Sequence, residues 1–125
     1  MIQVIGLHHV SLLVIDTRRA LGFYQDILGL ALIDNRPDIG IPGAWLDLGG
    51  GQQLHLLEIP RENKSEQIPG HGGRDRHFAL AVAGLDEVTA ALEAAGIAYT
   101  LSRSGRRALF CRDPEGNVIE LLETT

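Results

Sequence analysis

His9-Val-Ser-Leu-Leu-Val14 and His77-Phe-Ala-Leu-Ala-Val82 decide how this chain is read. Each opens on a histidine, alternates along a strand-like stretch, and runs into a helix-like segment. The segments end at Leu28-Gly29-Leu30 and Ala95-Gly96-Ile97, so histidine and glycine stand 20 positions apart in one half and 19 in the other. The match continues to the end of each half, where Leu54-His55-Leu56-Leu57-Glu58 corresponds to Ile119-Glu120-Leu121-Leu122-Glu123. Gly51 and Gly116 stand four residues before His55 and Glu120, as hairpin-turn glycines do. Self-similarity of this kind marks a repeated structural unit. The expected layout is a first module over about 5–59, a linker over about 60–73, and a second module over about 74–125. The linker, PRENKSEQIPGHGG, has the prolines, glycines and charges of a loop.

Within each half the pattern reads as strand, helix, then three strands. Residues 5–14 alternate, Asp16 can cap a helix over 17–28, and Gly29 can end it. Strands are expected near 30–35, 44–48 and 53–59. The second half repeats this with a strand at 76–83, a helix at 85–95 and strands near 98–102, 107–112 and 117–123. Asp113-Pro114-Glu115-Gly116 reads as the last turn. The predicted fold is α+β, two tandem βαβββ modules.

A length of 125 residues leaves room for one compact domain, and 45% hydrophobic with 22% charged residues is ordinary for a globular protein. The net charge of −5 opposes nucleic-acid binding. Arg74, Arg76, Arg103, Arg106 and Arg107 can line a small anionic pocket, but they do not make a DNA groove. Cys111 has no internal disulfide partner and reads as a small core hydrophobe. The start of the chain lacks the pattern of a signal peptide, and no apolar run is long enough to span a bilayer, so a cytoplasmic protein without a membrane partner is expected.

Residues two apart on a strand share a face. His9 lies with Ser11 and Leu13, and His77 with Ala79 and Ala81; the larger residues between them can pack under a helix. A single strand histidine is more often a hydrogen-bonded core or surface residue than a ligand, and a lone strand glutamate is more often an edge residue. Here His9, His55, His77 and Glu120 occupy matching strands of a duplicated unit. Two related halves can bring such strands to a common centre, where three imidazoles and one carboxylate suit a divalent metal. His8 points away from His9. His71, in the glycine-rich linker, reads as solvated, and Trp45 and Phe23 read as core or dimer contacts.

The stretches LHHVSLLVID, FYQDILGL, RHFALAV and FCRDPEGNVIELLE resemble the vicinal oxygen chelate superfamily, which includes glyoxalase I, methylmalonyl-CoA epimerase, extradiol dioxygenases, and fosfomycin and bleomycin resistance proteins. The resemblance covers nearly the whole chain, and DPEGNVIEL is specific to the superfamily rather than to one activity. It implies that the two tandem βαβββ modules form a curved mixed sheet around a central metal site, commonly in a homodimer. It also implies ligands on the first and last strand of each module, at His9, His55, His77 and Glu120. Two departures bear on activity. Glyoxalase I usually has a carboxylate where His55 stands, and Leu13 falls where a glutathione-binding arginine is expected. Methylmalonyl-CoA epimerase is closer in charge balance but needs two bases, and no second one is evident.

The expected protein is a metal-dependent lyase or isomerase that chelates a small oxygenated substrate and stabilises an enolate-type intermediate. The metal is nickel, zinc, cobalt, manganese or iron. Glu120 is the candidate proton carrier, and Ser11, Arg74, Arg76 and Arg107 are candidate substrate contacts. The alternatives are a ring-cleaving dioxygenase or thiol transferase on the same metal, or a non-catalytic protein that sequesters a small molecule.

Overall fold

The computed structural model describes residues 1–60 and 68–124. Among these residues, eight strands form two four-stranded mixed sheets, one from each half. In the first, β1 (His9–Val14), β2 (Ala31–Leu32), β3 (Gly43–Gly49) and β4 (Gln52–Glu58) are ordered β1-β4-β3-β2. In the second, β5 (His77–Val82), β6 (Tyr99–Leu101), β7 (Ala108–Arg112) and β8 (Val118–Glu123) are ordered β5-β8-β7-β6. The β1–β4 and β5–β8 pairs are parallel and in the same register, with Ser11 opposite His55 and Val14 opposite Glu58, as Ala79 lies opposite Glu120 and Val82 opposite Glu123. The α+β class and paired βαβββ architecture therefore stand. Of the expected linker, residues 61–67 lie outside the described residues.

The first helix starts where its sequence directs. The Asp16 carboxylate accepts from the Arg19 N–H, capping α1 (Thr17–Leu21). The chain then widens into π-type turns over Gly22–Ile27, and Gly29 takes a φ of +75°, as Gly96 does at +70° after α2 (Leu85–Ala94). Each helix is also tied to its sheet by the last glutamate of the module. Glu58 accepts from the Thr17 N–H at 2.9 Å, and Glu123 from the Leu85 N–H at 2.8 Å. That helix-start function explains why a charged residue closes both LLE runs. Expected strand ends contract: β1 begins at His9 rather than near residue 5, and β2 keeps only two residues of 30–35.

Val14, Phe23, Tyr24, Leu46, Leu54 and Leu56 fill the first module, and Leu92, Leu109, Ile119 and Leu121 the second. These side chains alternate with the polar ones, so one face of each sheet packs under its helix and the other carries the histidines. Cys111 is buried among them, which pushes its thiol up to about 12 and leaves it inert at neutral pH. The halves join through Tyr24, whose hydroxyl donates to Asp113 at 2.6 Å, and Asn117, whose amide donates to the Leu13 carbonyl at 3.3 Å. Among the described residues, no helix is long and apolar enough to cross a membrane.

Candidate metal and substrate site

On the first sheet, register places His9, Ser11, Trp45, Gln53 and His55 on one face. The His55 ring stacks between neighbours, with centroids 4.1 Å from His9 and 4.2 Å from Trp45. Gln53 Oε1 accepts from His55 Nε2 at 2.8 Å, so in the neutral imidazole Nδ1 keeps the lone pair. Burial, reinforced by His9, His8 and Arg36, lowers the His55 pKa below its ordinary value and favours that neutral form. Trp45 thus walls the histidine face, and its Nε1 is buried without a hydrogen-bond partner. His8 does not point away in isolation: its Nδ1 lies 2.8 Å from Nδ1 of His9.

On the second sheet, His77, Ala79, Phe110 and Glu120 share the equivalent face. His77 Nδ1 donates to the Asp75 carbonyl at 2.8 Å, since a carbonyl can only accept. That leaves Nε2 bare in the neutral ring, facing Glu120 Oε1 at 3.3 Å. Two lone pairs at this separation repel unless a proton or a cation lies with them. Glu120 is 4% exposed, and its Oε2 is buried without a hydrogen bond, with the Arg106 guanidinium 3.5 Å away. Bare imidazole nitrogens and an incompletely partnered buried carboxylate fit a divalent transition metal.

The structure brings these donors together in pairs, His9 with His55 and His77 with Glu120. Among the described residues, no three His, Cys, Asp or Glu side chains gather closely enough to hold a metal. Ser11 is exposed on the first pair's face, opposite His55. Arg74 and Arg76 are exposed, in the segment that leads into His77. Arg107 stands elsewhere: its guanidinium bonds Glu123 at 3.0 Å and Asp86 at 3.1 Å, at the start of α2. Arg106, one residue earlier, reaches Glu120 instead.

Sequence reasoning missed His71. Far from being solvated, it is half-buried, with Nδ1 2.8 Å from the Thr100 hydroxyl and its ring edge-on to Phe110. The adjoining glycine pair was the available signal, because it reads equally as loop flexibility and as close packing.

A family model described as the Glyoxalase/Bleomycin resistance protein/Dioxygenase superfamily matches residues 6–121, and the chain belongs to that superfamily. It is 28% identical over 124 residues to YwkD of Bacillus subtilis, covering 94% of this chain and 96% of that one. Its fold is similar to a glyoxalase/dioxygenase from Nostoc punctiforme, with a TM-score of 0.79, 24% identity and coverage of 97% and 92%. A lactoylglutathione lyase from Agrobacterium tumefaciens is similar at a TM-score of 0.66 and 28% identity, over 95% and 93% of the two chains.

Proposed function

We propose that this protein is a metal-dependent lyase or isomerase acting on a small substrate with two neighbouring oxygens. The observation that carries the reading is the equivalence of the donor pairs: each joins the first strand of a module to the last, in one register. His9, His55, His77 and Glu120 are the proposed ligands, with the two pairs meeting when the histidine face of one sheet meets that of the other sheet in a second copy. A divalent metal bound there would act as a Lewis acid toward negative charge developing on substrate oxygens.

The chain's own residues do the rest. Glu120 carries a proton to and from carbon, a role suited to a carboxylate shielded from water. Ser11 can donate to a substrate oxygen, and Arg74 and Arg76 supply positive charge for an anionic substituent. Three neutral ligands and one carboxylate leave the centre about one positive charge, which strengthens its pull on those oxygens. Likeness to the lactoylglutathione lyase supports an isomerising or lyase reaction.

The test is metal content of untagged protein purified without chelators, beside H77A. About one equivalent of transition metal per chain is expected, lost in the variant. No metal, and no uptake of nickel, zinc, cobalt, manganese or ferrous iron, would overturn the enzyme reading in favour of small-molecule sequestration. With metal bound, oxygen uptake on catechols would redirect it to dioxygenase chemistry.

A further inference from the structure

Residues 68–76 fold onto the face of the second sheet that carries His77 and Glu120. Arg112 holds them there, donating to the Pro69 carbonyl at 2.7 Å and to the Asp75 carboxylate at 3.0 Å, and to the Gly116 carbonyl at 2.8 Å in the turn between β7 and β8. Gly72 lies so close to Phe110 and Val118 that a Cβ would stand 2.9 and 2.8 Å from their side chains. This packing sets His71 against Phe110 at 5.2 Å between centroids, edge-on, and His77 meets the same ring at 5.0 Å. Thr100, Phe110 and Glu120 follow one another across β6, β7 and β8 in register, so the loop delivers His71 to the candidate site's own face.

The imidazole is fixed at one nitrogen and open at the other. Nδ1 is bonded to Thr100, while Nε2 has no hydrogen-bond partner among the described residues. A Cβ at position 73 would stand 2.8 Å from Nε2, so glycine there keeps that nitrogen uncovered. Burial and the positive charges of Arg103 and Arg74 also lower the pKa of the His71 ring. Asp75, on the same loop, is paired with Arg112 of β7.

We infer that His71 is a second acid–base group of this site, presenting Nε2 to a substrate held over Phe110. This rests on the lyase or isomerase reading and supplies the second proton-transfer group that four metal ligands leave missing. In the step assigned to the pair, Glu120 takes a proton from the hydroxyl-bearing carbon of an α-hydroxycarbonyl compound. The C–H electron pair becomes the second bond between the two carbons, and the carbonyl π pair moves onto oxygen. His71, protonated from solvent, then gives its Nε2 proton to the neighbouring carbon, which takes it with that second carbon–carbon pair, while the hydroxyl proton passes to the other oxygen and the O–H pair it leaves becomes the new carbonyl bond. Solvent exchange restores both groups, and no oxidant or reductant is consumed.

The test uses the full chain with 13Cε1-labelled histidine, signals assigned by single His→Gln variants, and Co2+ as probe. Loss of the His9, His55 and His77 signals with a displaced but visible His71 signal is expected. In D2O, the metal-loaded protein should exchange the carbon-bound hydrogens of dihydroxyacetone. H71Q should slow that exchange about 100-fold at unchanged metal content, and G73A, whose methyl covers Nε2, at least about tenfold. A His71 signal unmoved while His77 is lost, or exchange that is absent or equal in H71Q, overturns the inference alone. A His77 signal untouched by Co2+ overturns the metal reading and this inference with it.

Discussion

The Asp113 carboxylate accepts from the N–H groups of Glu115 and Asn117 through one oxygen and from the Asn117 amide and Tyr24 hydroxyl through the other. Burial and that neighbouring charge push the Tyr24 pKa far above the ordinary phenol range, so it remains a donor at any working pH. Y24F removes one hydrogen bond to a buried carboxylate and leaves the other three. Unfolding in urea should show a loss of about 1.5 kcal/mol with the slope unchanged; a loss below about 0.5 kcal/mol would mean the bond does not join the halves energetically. The turn was legible from Asp-Pro-Glu-Gly, because those residue types carry their own backbone chemistry. Its partner Tyr24 was not, since nothing local distinguishes a tyrosine that packs from one that also donates across 89 positions.

At the scale of elements, the loop over 68–76 depends on an ion pair that acid should undo. The Arg112 hydrogen bond is the main reason the Asp75 carboxyl titrates below its ordinary value, with the Arg76 N–H adding to it. A carboxyl depressed in the folded state stabilises fully above its unfolded value of about 3.9 and loses that contribution as pH falls through the lower folded value. Amide exchange in the loop should therefore accelerate as pH is lowered through that window, relative to α2. D75N should show the fast exchange already at neutral pH, and identical protection in both proteins would remove the clamp from the account. Helix starts, glycine stops and the succession of strands along the chain were readable because caps, left-handed residues and alternation are local. The short β2 and the half-buried loop were not. Both are set by contacts from other strands, and a glycine-rich loop carries no sign of the surface it will cover.

Across the whole molecule, an apolar cleft of about 780 Å3 is lined by residues of both modules, among them Val10, Ile27, Leu28, Phe78, Val88 and Leu92. Met1, Ile2, Val4 and Ile5 are exposed as well, which is a large apolar area for a chain that works alone. If a second copy completes the site, a chain carrying H9A and H55A should bind no metal, nor should one carrying H77A and E120A. Refolding the two together should restore one site per mixed dimer, measured by metal analysis of the separated dimer. No recovery on mixing would place all four ligands within one chain. The equivalence of the four positions was legible from the repeat, whereas the contacts of His9 with His55 and of His77 with Glu120 were not, because self-similarity says which positions are equivalent and nothing about which copies of them meet. That equivalence has a further consequence. Four separate identical modules would have to carry the same donor at every matching corner. Covalent fusion frees the corners from one another, so His55 and Glu120 occupy one geometric place with different charge. Single steps in one half can thus change the charge at one corner while the other half holds the frame.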